Sequence, residues 1–197
     1  MNIELENVGK RFGKNFIFRN INGIIPTGAK LGIVGANGSG KSTLLQIIAG
    51  LQPPTEGLVH RGVEEEVFNA HYSFCSPALG LYEDYTLAEH LRFYNRLKPL
   101  SISIEDCIEI LDLSDHVNKR ISHFSSGMKQ RVKLAQACFS NTSILFLDEP
   151  CAHLDKKSEE WFAHLISETT QTKSVVIASN DHSVELSCVD EKWLISG

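Results

Sequence analysis

The segment Gly35-Ala36-Asn37-Gly38-Ser39-Gly40-Lys41-Ser42 constrains this chain more than any other. It follows the apolar run Lys30 to Val34 and precedes Lys41 to Ala49, where Leu44, Leu45, Ile47 and Ile48 recur at helical spacing and Gly50 stands where a left-handed residue ends a helix. Glycines this dense between a strand and a helix let backbone N–H groups turn inward around an anion, and the helix N-terminus adds partial positive charge at the same place. The spacing fits GxxxxGK[ST], so Lys41 is expected to set a point charge on a phosphate and Ser42 to offer its hydroxyl to Mg2+. Gly35, Asn37, Gly38, Ser39, Gly40, Lys41, Ser42 and Thr43 are therefore candidate binders of a magnesium nucleotide, expected to be ATP.

A second constellation complements the first. Ile144-Leu145-Phe146-Leu147-Asp148-Glu149-Pro150 reads as a buried strand ending in two carboxylates, the end at which open α/β sheets bind ligands. Asp148 is expected to hold magnesium through water, and Glu149 to polarise the water that attacks the γ-phosphate.

Around these motifs the chain reads as strands at Asn2 to Asn7, Phe16 to Ile25 and Lys30 to Val34, then helices at Thr86 to Leu97 and Ser103 to Leu111. Thr86 and Glu89 form a capping box. A helix from about Ser125, the strand Ile144 to Leu147, a helix near Lys156 to Thr169 and the strand Ser174 to Ala178 complete the pattern. Strands separated by helices imply an α/β fold with a mainly parallel sheet. The expected organisation is one domain over 1–197, with a core from 1–76 and 124–197 and a helical lobe at 77–123.

Composition narrows the function classes. The apolar runs fall short of the roughly 20 residues that cross a bilayer, and the start, MNIELENVGK, has neither a basic nor an apolar leader region. A net charge of -5 argues against a general nucleic-acid binder, and none is expected as a partner. Cys75, Cys107, Cys138, Cys151 and Cys188 lack metal-site spacing and suggest a reducing cytoplasm. Cys75 and Cys151 flank the metal-binding segments, yet read more simply as small buried hydrophobes than as a redox switch.

The segment Phe124-Ser125-Ser126-Gly127-Met128-Lys129-Gln130-Arg131 resembles the LSGGQ signature of ATP-binding cassettes. With the phosphate loop, the helical lobe, the strand-end acids and Ala152-His153-Leu154-Asp155 in family order, essentially the whole chain resembles an ABC-superfamily cassette. That resemblance implies a P-loop NTPase core, an N-terminal antiparallel β subdomain and the inserted helical lobe. It also implies a homodimer, or a heterodimer with another cassette, in which Ser125 and Gly127 meet the ATP held on a second copy's phosphate loop. Phe12 corresponds to the aromatic that stacks on adenine.

Two positions depart from the family pattern. Ser76 stands where a Gln reaches magnesium and the attacking water, and Asn180 where a His faces the γ-phosphate. Asn hydrogen-bonds but cannot become cationic, so slow hydrolysis without a partner is expected; His182 is a weaker candidate to compensate. The leading expectation is a transporter's ATP-hydrolysing subunit, working on separate integral membrane subunits from the cytoplasmic face of the membrane. The cytochrome c maturation haem-export cassette is one candidate subtype. The alternatives are a soluble ABC ATPase and an ATP-binding regulator with weak hydrolysis.

Overall fold

The computed structural model describes residues 1–195. The chain opens with β1 (Ile3–Phe12) and β2 (Asn15–Ile25), an antiparallel hairpin. β1 runs beyond the Asn7 expected from the alternation, because the pairing shifts between Leu5 and Val8 and Asn7 adopts a φ of 49°. The bulge resets the inside-outside pattern, which hid the second half of the strand. The Asn22 side chain accepts from the Asn7 N–H at 2.8 Å and stabilises the bulge.

β3 (Lys30–Val34) then leads through the glycine-rich loop into α1 (Lys41–Ile48), and β4 (Glu56–His60) returns to the other edge of β1. Gly50, at φ 80°, follows α1 as expected. Arg61 covers the same helix end, its guanidinium donating to the carbonyls of Ile48 (3.0 Å) and Ile47 (2.6 Å) while lying 5.2 Å from the Phe68 ring centroid.

Next come α2 (Glu65–His71) and β5 (Tyr72–Cys75), neither delineated by the sequence pattern. Glu65 and Glu66 lie in the first turn of α2, where their charge suits the helix dipole, so this acidic run builds a helix start. α3 (Leu87–Leu97) begins at the Thr86–Glu89 capping box, and α4 (Ile104–Ile110) at a Ser103 cap. α5 (Ser126–Phe139), β6 (Ile144–Asp148), α6 (Lys156–Thr169), β7 (Ser174–Ser179) and β8 (Glu191–Leu194) follow, the last elements among the described residues.

Three strands form an antiparallel sheet in the order β2-β1-β4, and five form a parallel sheet in the order β5-β6-β7-β3-β8. β6 and β7 are buried along their whole length, as parallel strands covered on both faces must be. Leu145, Leu147, Val175 and Ile177 face α5, α6 and the helices after β5, while Ile144, Phe146, Val176 and Ala178 face α1 and the β1–β2 hairpin. Side chains alternating along two adjacent strands thus tie both layers to one sheet. Burial of each large apolar side chain contributes about 1.5–3 kcal/mol.

Candidate phosphate-binding and hydrolytic site

The register of the parallel sheet aligns the four strand ends that matter. Val34 pairs with Ser179, Asp148 with Ala178, and Cys75 with Leu147. The next residues along the chain, Gly35, Asn180, Glu149 and Ser76, therefore share one carboxyl edge.

The phosphate loop is a tight structure at that edge. Its cavity, of about 300 Å3, is lined by Ile17, Asn37, Gly38, Gly40, Lys41, Ser42, Thr43 and Glu149. Gly40 has φ 96°, and a Cβ there would lie 2.4 Å from Ile17 Cγ2, so only glycine lets β2 press against the loop. At Gly35 a Cβ would meet the Ile195 carbonyl oxygen at 2.3 Å. Neither Gly35 nor Ser39 lines the cavity; they shape the loop from beneath.

The side chains present fit a magnesium nucleotide. The Ser42 hydroxyl donates to Asp148 Oδ1 at 2.8 Å, bringing the two expected magnesium-binding groups together from positions 106 residues apart. Burial pushes the Asp148 carboxyl above its ordinary range, opposed by the Ser42 hydrogen bond and Lys41, with Glu149 adding to the rise. A cation beside it offsets that cost. Lys41 is buried, and its ammonium donates to the Ala36 carbonyl at 3.0 Å; an ammonium has three donors and this bond uses one. Ser39 Oγ is buried without a partner within the same loop.

Glu149 follows β6 in a left-handed conformation, φ 43°, with its N–H donating to the Ala178 carbonyl at 2.9 Å. One of its carboxylate oxygens accepts from the Asn180 amide at 3.0 Å. Asn180 thus orients the carboxylate expected to act on water. His182, weighed as a substitute for the missing imidazole, points elsewhere: its Nε2 lies 3.4 Å from Glu159, and its N–H donates to Ser179 Oγ at 3.1 Å.

Ser76 is buried and does not line the phosphate cavity. Phe12 lies at the end of β1, 57% exposed, with the Lys10 ammonium 5.5 Å from its ring centroid. It is also absent from the cavity wall, to which Ile17 is the residue contributed by the β1–β2 hairpin. Ser125 and Gly127 likewise lie away from this chain's phosphate loop, at the start of α5. Ser125 Oγ accepts from the Met128 N–H at 3.2 Å, and Ser125 and Ser126 are exposed, so the helix start faces outward. Of the apolar face Met128, Val132, Ala135 and Phe139, the last three are buried on the inner side of α5 and Met128 is half-buried. Another cavity, of about 630 Å3, includes Phe139, Trp161 and Lys173 in its wall and shares no residue with the phosphate loop.

Three structural participants escaped the sequence reading. Gln130, 2% exposed, donates to the Pro150 carbonyl at 2.9 Å and ties α5 to the loop after Asp148. Glu185 is buried, and burial raises its carboxyl pKa; it accepts from the Cys151 N–H at 3.0 Å and bonds Ser179 Oγ. Ile17 reads as an ordinary strand residue. Gln130 lies within the signature-like segment, but no motif marks Glu185 or Ile17, and only the contacts between elements reveal what each of the three does.

Known proteins share this architecture. A sequence profile described as ABC transporter matches residues 18–152. The cytochrome c biogenesis ATP-binding export protein CcmA of Rhizobium etli is 32% identical, over 97% of this chain and 93% of its own length. The Fe(3+) ions import ATP-binding protein FbpC of Escherichia coli is also 32% identical, over 78% of this chain and 47% of that protein. Among solved structures, the ATP-binding cassette MJ0796, dimeric in a post-hydrolysis state with ADP and Pi, superposes with a TM-score of 0.83 at 25% identity, covering 98% of this chain and 94% of that one. With the phosphate loop and strand-end acids meeting through Ser42 and Asp148, this chain belongs to the ABC transporter family as an ATP-binding subunit.

Proposed function

We propose that the chain hydrolyses ATP with magnesium as a dimeric cassette, and that this powers transport through separate integral membrane subunits. The observation that carries the reading is the 2.8 Å bond from Ser42 to Asp148, which unites two motifs at one sheet edge. ATP is the substrate: the loop N–H groups and Lys41 bind its phosphates, and Glu149 accepts a proton from the attacking water. Ser42 and Asp148 would hold Mg2+, which neutralises phosphate charge when bound. Asn180 positions Glu149 through their hydrogen bond but supplies no cationic charge.

The outward-facing start of α5 supports a composite site, in which Ser125 and Gly127 complete the nucleotide site of a second copy. The division into a core of 1–76 and 124–197 and a lobe of 77–123 serves this assembly, the signature helix α5 returning to the core directly after the lobe. Phe12, exposed beyond the cavity wall, stacks on adenine, and Ser76 reaches magnesium only through water. No helix among the described residues is long and apolar enough to cross a membrane. A peripheral position on the cytoplasmic side of membrane subunits fits that observation and the family. Similarity to CcmA over nearly the full length supports an export cassette for cytochrome c biogenesis, with haem as a candidate cargo.

Replacing Glu149 with Gln tests the chemistry. ATP turnover is expected to fall by at least about 100-fold, the lower range for a general base, while ATP-dependent dimers accumulate. A second reading, an ATP-binding regulator with weak hydrolysis, is favoured by the engagement of Glu149 by Asn180. Unchanged residual turnover in E149Q would establish that reading and overturn the first.

A further inference from the structure

Beside the nucleotide site lies a second cavity of about 180 Å3, lined by Glu149, Cys151, Ala152, Asn180, His182 and Glu185. Cys151, His182 and Glu185 each present a ligand atom, and the three atoms lie within 4.8 Å of one another. The His182 ring is prepared for such a role. Glu159 engages its Nε2 at 3.4 Å, while Nδ1 is buried without a partner, the arrangement in which a carboxylate fixes one ring nitrogen and leaves the other for a metal. Glu185 is fixed by the Cys151 N–H and Ser179 Oγ, yet each carboxylate oxygen keeps a lone pair. The wall contains no Lys or Arg and two carboxylates, so its field favours a cation.

We propose that Cys151, His182 and Glu185 form a binding site for a borderline divalent cation of the zinc type, distinct from the magnesium site at Ser42 and Asp148. One sulfur, one nitrogen and one oxygen donor suit zinc, whereas magnesium takes oxygen donors. Tetrahedral zinc with bonds of about 2.0–2.3 Å brings its donors to about 3.5 Å from one another, so side-chain rotations of about 1 Å would close the set around an ion, with water as fourth ligand. Binding converts the thiol to thiolate and releases its proton to solvent.

The position gives the site leverage. Cys151 is two residues beyond Glu149, and His182 two beyond Asn180, so a cation held there clamps together the two loops that carry the Glu149–Asn180 hydrogen bond. Zinc is therefore expected to slow turnover. That consequence rests on Glu149 acting as the base in the function proposed above; the binding site itself does not.

Cobalt(II) titration of the metal-free full chain, freed of adventitious ions by chelation, tests the site. One Co2+ per chain should produce a thiolate-to-cobalt charge-transfer band that Zn2+ abolishes and millimolar Mg2+ leaves intact. Cys151→Ser should remove the band, His182→Asn should weaken Co2+ binding by more than about tenfold, and Cys188→Ser should change neither. His182 is half-exposed, so its variant tests the site even if burial of Ser at position 151 destabilises the fold. Absence of the band, its persistence in C151S, or its loss in C188S would overturn the site, whatever happens to turnover. If cobalt binds as described but Zn2+ does not slow ATP hydrolysis in a preparation whose turnover depends on Glu149, the site stands and the clamp fails.

Discussion

Gly40→Ala is the sharpest test of how the phosphate loop is held. The added Cβ would lie 2.4 Å from Ile17 Cγ2, and 2.8 and 3.0 Å from two carbons of the Phe18 ring. Non-bonded carbons settle at about 3.5–4.0 Å. Phe18 is buried and Ile17 half-buried, so neither withdraws freely, and overpacking of this kind costs about 1–3 kcal/mol. The backbone adds its own penalty, because a left-handed conformation costs a non-glycine residue about 1–2 kcal/mol. The expected loss is about 2–5 kcal/mol, large against the roughly 5–15 kcal/mol that stabilises a typical domain.

Urea denaturation followed by circular dichroism measures the loss, and binding of a fluorescent ATP analogue reports whether the loop N–H groups still converge. The double variant Ile17→Ala/Gly40→Ala separates the two contributions. It relieves the closest overlap while leaving the φ penalty and the Phe18 contacts, so the two substitutions should be non-additive by about 1 kcal/mol or more. A stability change in G40A below about 0.5 kcal/mol, the range of inert surface substitutions, would refute the argument. Strict additivity in the double variant would refute the role given to Ile17.

Other consequences are equally accessible. Gln130→Leu leaves the buried Pro150 carbonyl without its donor and should destabilise the fold by about 1–3 kcal/mol in the same denaturation assay. Asn180→His places a group able to carry positive charge beside Glu149, where the proposed function puts the γ-phosphate, and should raise steady-state turnover; a fall would mean that the amide's bond to Glu149 matters more than charge. His90 is buried, its Nδ1 lacks a partner, and burial holds its pKa below the ordinary 6.5 despite the Gln136 hydrogen bond. Below pH 6.5 the unfolded chain takes up a proton that the folded chain resists, so acidification lowers stability. Melting curves across pH 7 to 5 should fall less steeply in H90Q than in the parent chain.

Legibility in the sequence followed the physics of each element. α6 matches the pattern from Lys156 to Thr169 because its cap and apolar spacing are both local. The phosphate loop is readable because its glycines, Lys41 and Ser42 keep a fixed local spacing between a strand and a helix, even though Gly35, Gly40 and Ser42 also answer to distant residues. β8 and β5 were not, since β8 is an exposed edge strand without clear alternation and β5 has only four residues. His182 illustrates the limit at the site. Its distance from Asn180 in sequence suggested substitution, but its direction depends on Glu159, which comes from α6. Ile17 and Glu185 depend in the same way on contacts between elements, which leave no periodic trace.

The arginine that closes the far end of α1 also changes what that helix can do for an anion. α1 has only eight residues and is about 12 Å long. A dipole so short places its negative pole close enough to oppose its positive one: half a charge acting on a doubly charged phosphate over that distance weakens attraction by about 1 kcal/mol at an effective dielectric constant of 20. Arg61, bonded to the Ile47 and Ile48 carbonyls, sets a full positive charge on that pole. To the nucleotide the helix then looks like a single positive terminus, as though its other end lay much farther away.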